Sequence, residues 1–109
     1  MPDKLERIRA MNDALRKHGM GGEIYATASV MALGLDVLKH VANEVAKFDD
    51  FNANNDPHGE HDFGRVQVGD IKVWFKIDYY SDASKQYGAE DPSDPTTVRV
   101  MTIGLPSDY

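Results

Sequence analysis

Hydrophobic residues recur every three or four positions in two segments of the chain, and this spacing predicts two amphipathic helices. The stripe of the first helix, residues 3–18, consists of Leu5, Ile8, Met11 and Leu15. Asp3 is placed to cap this helix, with Glu6 three residues later. The glycine-rich segment 19–22 ends it, because glycine tolerates the left-handed conformation that follows a helix. The stripe of the second helix, residues 34–48, consists of Leu35, Leu38, Val41, Ala42, Val45 and Phe48.

Alternation of apolar and polar positions predicts strands in other segments. The first strand, about residues 23–30, places four apolar residues on one face, Ile24, Ala26, Ala28 and Val30. The last strand, about residues 97–105, is partly apolar on both faces, which favours a central position in the sheet. Residues 49–60 and 81–96 are rich in turn-forming residues, and we expect irregular loops there.

A hairpin is predicted by Val68-Gly69-Asp70-Ile71, which reads as a two-residue turn between two alternating runs. Such a turn fixes the register of the two strands. On the core face we expect the pairs Val68 with Ile71, Val66 with Val73, and Gly64 with Phe75. On the other face we expect the pairs Gln67 with Lys72 and Arg65 with Trp74. If the pairing extends further, His61 falls near Asp78.

The predicted elements follow the order helix, strand, helix, strand, strand, strand. Because the hairpin is antiparallel, the predicted class is α+β, with two helices packed on a mainly antiparallel sheet of about four strands. The 109 residues suit one compact domain spanning 1–109. Hydrophobic residues make up 41% of the chain, which is enough for a modest core.

The absence of cysteine and of long apolar segments limits where in the cell the protein is expected. The chain contains no cysteine, which excludes disulfides, zinc sites with cysteine ligands and thiol nucleophiles. Its charged beginning has no apolar segment of the kind that directs secretion. No apolar run approaches the roughly 20 residues that span a bilayer. We therefore expect a cytoplasmic protein.

The net charge of −6 is unevenly distributed. Residues 1–48 carry seven Lys/Arg and six Asp/Glu, whereas residues 49–109 carry five Lys/Arg and twelve Asp/Glu. The acidic second half disfavours direct binding to the backbone of DNA or RNA. It favours a partner with a basic surface. The simpler explanation is that acidity keeps a small protein soluble.

Several sequence blocks carry a family resemblance. They are 56–64 (Asp-Pro-His-Gly-Glu-His-Asp-Phe-Gly), 74–80 (Trp-Phe-Lys-Ile-Asp-Tyr-Tyr), 97–103 (Thr-Val-Arg-Val-Met-Thr-Ile), and the shorter 11–16 and 48–51. In these blocks the chain resembles a bacterial family catalogued as domain of unknown function 3768. The resemblance implies a small bacterial protein, often from proteobacteria and their plasmids or phages, and it implies no particular activity. The family often has Tyr at the position of His58, which argues against His58 as an essential metal ligand.

One block of the sequence concentrates candidate ligands and acid–base groups: His58, Glu60, His61 and Asp62. Imidazole and carboxylate groups together suit zinc, iron or manganese. The block lacks the His-Glu-x-x-His spacing of a helical zinc site, and a site here would need Asp49 or Asp78 as well. In the structural explanation, His61 bonds a carboxylate or carbonyl and fixes the loop to the hairpin, while Asp62 caps loop amides.

Trp74 and Tyr80 share one face of a predicted hairpin strand. If this face is open, these two residues and Phe63 form an aromatic surface suited to binding a partner. The alternative is that the first helix covers this face with its apolar stripe.

Two functions remain open from the sequence. We favour a small acidic interaction protein without catalytic residues or cofactors, which binds a basic protein surface and inhibits a nucleic-acid-binding or defence protein in an anti-CRISPR-like manner. The residues expected to bind the partner are Trp74, Tyr80, Asp82, Glu90, Asp91 and Asp94. The alternative is a small metal-dependent hydrolase that uses Glu60, His61 and Asp62. The sequence leaves the oligomeric state open.

Overall fold

The computed structural model describes residues 3–109. Within them the helices are α1 (Lys4–His18), α2 (Ala28–Met31) and α3 (Leu35–Lys47). The strands are β1 (Glu23–Ala26), β2 (Phe63–Val68), β3 (Ile71–Tyr80) and β4 (Val98–Gly104), and a 3₁₀ turn follows at Pro106–Asp108. The predicted α+β class is confirmed.

The four strands form one sheet in the order β1-β4-β3-β2. β1 runs parallel to β4, whereas β3 runs antiparallel to both of its neighbours. The central position predicted for the last strand is confirmed, because β4 pairs with β1 on one side and β3 on the other. Its two apolar faces are therefore explained by burial within the sheet.

The predicted hairpin register is also confirmed. Val68 pairs with Ile71, Gly64 with Phe75, and Arg65 with Trp74. The register follows from the tight turn, where Gly69 adopts a φ of 59° that residues with a side chain rarely take. Side chains therefore alternate between the two sheet faces as the sequence predicts.

Both ends of α1 lie where the sequence places them. The carboxylate of Asp3 accepts a hydrogen bond from the backbone N–H of Glu6 at 2.8 Å. At the other end Gly19 has a φ of 67° and its N–H bonds the carbonyl of Leu15. A carboxylate cap and a left-handed glycine stabilise the two ends of a helix by satisfying its free backbone groups.

The strand predicted for residues 23–30 is too long. β1 stops early because Thr27 caps the short helix α2, accepting a hydrogen bond from the N–H of Val30 at 3.3 Å. The carboxylate of Asp108 then accepts hydrogen bonds from the hydroxyls of Thr27 at 2.8 Å and Ser29 at 2.6 Å. The alternation of small residues in this segment fits a helix as well as a strand, and these polar contacts favour the helix.

Both long helices pack on the same face of the sheet. Their common core consists of Leu15, Val30, Val41, Val45, Val73, Phe75, Ile77, Met101 and Ile103. α1 therefore does not cover the face that carries Trp74. This side chain is only 9% exposed for a different reason: its indole N–H donates to the carbonyl of Leu105 at 2.8 Å, and the ring of Tyr109 packs edge-on against it.

No helix within residues 3–109 is long and apolar enough to cross a membrane.

Candidate functional site

Residues 81–97 form an acidic loop between β3 and β4, and backbone pairing fixes its first half. The N–H of Ser81 donates to the carbonyl of Tyr87 at 2.9 Å, and the N–H of Ala89 donates to the carbonyl of Tyr79 at 3.1 Å. These bonds extend the antiparallel pairing of β3 by a short bridge. These bonds hold the first half of the loop in a defined conformation.

Two ion pairs tie the acidic loop to the rest of the molecule. The ammonium of Lys85 lies 2.9 Å from the carboxylate of Glu23 on β1 and 5.6 Å from the ring centroid of Tyr25. The carboxylate of Asp91 lies 3.2 Å from the ammonium of Lys4 on α1. Exposed pairs of this kind contribute little stability each, and they join the loop to β1 and α1.

Two exposed carboxylates of the loop are held by neighbouring backbone and hydroxyl groups. Asp82 accepts the N–H of Ser84 at 2.9 Å, and Asp94 accepts the N–H of Thr96 at 2.8 Å. The hydroxyl and N–H of Ser84 lower the pKa of Asp82. The N–H and hydroxyl of Thr96 lower the pKa of Asp94. Both side chains are therefore negatively charged at neutral pH.

Asp91 follows the same pattern in a less exposed position. It accepts the hydroxyl of Ser93 at 2.6 Å and the N–H of Ser93 at 3.0 Å. These two bonds, with the contact to Lys4, lower the pKa of Asp91 to about 2. The carboxylate is thus fixed in direction as well as in charge.

Three of the four predicted acidic residues line one cavity of about 510 Å³: Glu90, Asp91 and Asp94. Tyr87 lines the same cavity and is 68% exposed. Asp82 is not among the lining residues. Tyr87 was not among the residues predicted from the sequence. A lone aromatic residue in a polar loop was a usable signal, because exposed tyrosines often contribute strongly to interfaces.

Trp74 does not lie near this acidic cavity. It is buried beside the 3₁₀ turn, whereas Tyr80 is half-buried at the end of β3, opposite Val98. Tyr80 follows Trp74 by six positions along β3, which is roughly 20 Å at the rise of a β-strand. The structure therefore brings together the acidic residues 90, 91 and 94, but not Trp74 with them.

His61 fixes its loop to α1. Its Nδ1 atom lies 3.0 Å from an oxygen of Asp13, and its ring stacks on Phe51 with centroids 4.0 Å apart. Its backbone has a φ of 59°, a left-handed value that is uncommon for residues other than glycine. The predicted bond of His61 to a carboxylate is confirmed, but this carboxylate lies on α1 and not on the hairpin. The pairing of β2 with β3 ends at Phe63, so it does not extend to His61 and Asp78.

Asp13 joins His61 to a buried guanidinium. It accepts a hydrogen bond from Arg16 at 2.9 Å, and Arg16 also donates to the carbonyl of Phe48 at 2.7 Å at the end of α3. Burial opposes ionisation of Asp13, but the hydrogen bonds from Arg16 and His61 outweigh it and lower its pKa. The group links α1, α3 and the loop.

Glu60 belongs to a second buried chain of hydrogen bonds. It accepts the hydroxyl of Tyr79 at 2.6 Å, and the same hydroxyl accepts the amide of Asn12 at 2.7 Å. The oxygen of Asn12 in turn accepts a bond from Arg99 at 3.0 Å. Burial and the contact with Glu60 raise the pKa of Tyr79, so its hydroxyl stays protonated and serves as a donor.

Asp56, instead of Asp62, caps the amides of this loop. Its carboxylate accepts the N–H groups of Glu60 at 2.9 Å and His61 at 3.1 Å. Burial raises the pKa of Asp62, and the nearby charges of Glu60 and Asp56 raise it further. His58 is exposed. The capping role predicted for Asp62 is therefore wrong.

The comparisons with known proteins give one match. A family model described as "Protein of unknown function (DUF3768)" matches residues 26–108. The chain belongs to this family. No curated protein and no solved structure matches the chain. The matched segment includes the acidic cavity and the loop with His61, whereas α1, which supplies Asn12, Asp13 and Arg16, lies outside it.

The metal-binding arrangement has little support in this geometry. Among residues 3–109, no group of three or more His, Asp or Glu side chains is placed to hold a metal ion together. Nδ1 of His61 is directed at Asp13, and Glu60 accepts from Tyr79. Two of the three predicted ligands thus have protein partners of their own. A metal-dependent hydrolase remains a prediction from the sequence alone.

Proposed function

We propose that this member of the family is an interaction protein whose acidic cavity binds a basic side chain on a partner protein. One observation carries the proposal: Glu90, Asp91 and Asp94 line a single cavity together with the exposed ring of Tyr87. Carboxylates form strong, charge-assisted hydrogen bonds with a guanidinium or ammonium group. An aromatic ring adds a favourable contact with the same cation.

The fixed shape of the loop supports this function. Ordering a flexible loop on binding costs free energy, and a loop that is already ordered avoids that cost. The loop is held by the pairing with β3 and by the contacts of Lys85 and Asp91. The carboxylates of Asp91 and Asp94 are ionised at neutral pH, because neighbouring donors lower their pKa.

The narrower role follows from charge. A net charge of −6 attracts basic proteins over a distance and accelerates their encounter. The channel of a nucleic-acid-binding protein is one such basic surface, because it must neutralise phosphate charges. We propose the cytoplasm of a bacterium as the setting and an inhibitor of a defence or regulatory protein, encoded on a mobile element, as the specific form.

Charge reversal tests the proposal. The double variant Glu90→Lys/Asp94→Lys reverses the charge of two of the three acidic residues that line the cavity. Asp36→Lys/Asp50→Lys is its matched control, because it gives the same net charge from two exposed positions outside the cavity. Affinity capture from bacterial lysate at low salt, read by mass spectrometry, identifies a stoichiometric basic partner. Binding of the purified pair is then measured by calorimetry with each variant.

We expect the cavity variant to raise the dissociation constant at least tenfold and the control variant to change it less than threefold. Binding of the wild type should weaken as salt rises, with a shallower slope for the cavity variant. Tyr87→Ala should weaken binding without changing the salt dependence. Equal loss of affinity in both charge variants would mean that overall charge, and not this cavity, determines binding.

A further inference from the structure

A second cavity lies on the sheet face opposite the helices, over the hairpin of β2 and β3. Its volume is about 690 Å³, within the range of roughly 300–1,000 Å³ that is usual for small-molecule sites. Its lining includes Phe63, Arg65, Gln67, Lys72, Trp74 and Tyr109. It shares no lining residue with the acidic cavity, so it is a separate surface of the molecule.

Positive charge is concentrated on this face by the strand register. Arg65 pairs with Trp74 across the hairpin. Lys72 and Lys76 lie two positions on either side of Trp74 in β3, and they are therefore diagonal neighbours of Arg65. Such neighbours lie about 7–8 Å apart, which is within reach of long side chains. Lys76 lies 3.4 Å from Asp78. In the described chain, residues 3–109, Arg65 and Lys72 have no ion pair of their own.

Aromatic rings accompany these cations. The guanidinium carbon of Arg65 lies 5.2 Å from the ring centroid of Phe63. Tyr109 is 83% exposed and packs edge-on against Trp74, with ring centroids 5.5 Å apart. Two cations without ion-pair partners beside an exposed aromatic ring are the chemistry that recognises an anion attached to a flat ring.

We infer that this groove binds a nucleoside phosphate, with the phosphate between Arg65 and Lys72 and the base stacked on Tyr109. A single nucleotide is favoured over a nucleic-acid strand by the charge of the whole chain. A net charge of −6 repels an extended polyanion. One or two phosphate groups are neutralised locally by the two cations, which also relieves their mutual repulsion. The inference does not depend on the proposed function.

Trp74 reports binding directly, because it is the only tryptophan in the chain and lines the groove. The probes are adenosine diphosphate, adenosine, inorganic phosphate and a single-stranded oligonucleotide. Binding is followed by Trp74 fluorescence, excited at a wavelength that nucleotides do not absorb, and confirmed by calorimetry. The variants are Arg65→Ala/Lys72→Ala and the matched control Lys17→Ala/Lys39→Ala, which removes two exposed lysines from helices. Circular dichroism checks that each variant is folded.

We expect adenosine diphosphate to change Trp74 fluorescence in a saturable manner. Arg65→Ala/Lys72→Ala should raise its dissociation constant at least tenfold, and the control variant should stay within twofold of the wild type. Adenosine and inorganic phosphate should each bind at least tenfold more weakly than the diphosphate. Failure of adenosine diphosphate to bind at millimolar concentration would overturn the inference. So would equal binding of phosphate alone, tighter binding of the oligonucleotide, or unchanged binding in the groove variant.

Discussion

The side-chain oxygen of Asn12 accepts a hydrogen bond from Nε of Arg99 at 3.0 Å, joining α1 to the central strand across 87 positions of sequence. Asn12 is wholly buried, and its amide also donates to the carbonyl of Glu60 at 3.0 Å and the hydroxyl of Tyr79 at 2.7 Å. The side chain of Asn12 therefore bonds groups from β3, from the loop that carries Glu60, and from β4.

Replacing this amide should remove one hydrogen bond from each of its three partners, Glu60, Tyr79 and Arg99. We expect Asn12→Ala to lower the free energy of unfolding by about 2–4 kcal/mol, since each buried polar group left unsatisfied costs about 1–3 kcal/mol. The control is Asn43→Ala at an exposed position of α3, expected within about 0.5 kcal/mol of the wild type. Urea denaturation followed by circular dichroism measures both. A variant as stable as the wild type would show that water replaces the amide.

The role of His61 can be separated from metal binding. We expect His61→Ala to lower the free energy of unfolding by about 1–2 kcal/mol, because it removes the bond to Asp13 and the stacking on Phe51. His58→Ala, at an exposed position, should have little effect. Chelator should leave the melting temperature of the wild type unchanged. If chelator lowers it in the wild type and not in His61→Ala, the metal-dependent alternative gains support.

Asp62 should give stability an unusual dependence on pH. Because the folded state raises its pKa above 3.8, the protonated form contributes stability that is fully present below pH 3.8 and is lost as pH rises through the higher folded value. We therefore expect Asp62→Asn to raise the free energy of unfolding at neutral pH by up to about 1 kcal/mol. The gain should vanish below pH 3.8, and the exposed Asp50→Asn should show no such trend. Melting temperatures are measured across this pH range. A lower melting temperature for Asp62→Asn than for the wild type at neutral pH would contradict the raised pKa of Asp62.

Close packing explains Gly64, which the sequence analysis assigned to the hairpin core face. A Cβ atom at this position would lie 2.6 Å from a ring carbon of Phe48 and 2.6 Å from a ring carbon of Phe75. We expect Gly64→Ala to lower the free energy of unfolding by about 1–3 kcal/mol through overpacking. At Gly88 the nearest atom would lie 3.8 Å away, so Gly88→Ala is the control and should be nearly neutral. Thermal unfolding compares the two.

The parts of the fold that were predictable depend on local chemistry. The hairpin register follows from one tight turn, and α1 follows from its cap, its stripe and its glycine end. The error at residues 27–30 arose because alternating small residues suit a strand and a helix equally. The bond to Asp108 that favours the helix comes from a residue about 80 positions away, which no local pattern reveals.

The candidate sites show the same division. Glu90, Asp91 and Asp94 were found by composition, because charge is visible in the sequence itself. Their convergence on one cavity with Tyr87 depends on how the loop returns along β3. The partner of His61 was missed for a similar reason, because Asp13 lies 48 positions away in the sequence. The apolar stripe of α1 predicts the helix but does not predict which polar residues of the helix contact the loop.

The position of β4 at the middle of the sheet has a consequence for synthesis. β1 is made early, yet its partner in the sheet, β4, is the last of the four described strands to be made. The hairpin of β2 and β3 needs only its own residues and can form while the chain is still growing, whereas β1 must wait with its pairing groups exposed. In a nascent chain that lacks residues 98–104, β1 cannot pair with the hairpin of β2 and β3, because β4 lies between them in the sheet. Such a chain exposes an open sheet edge to chaperones and proteases.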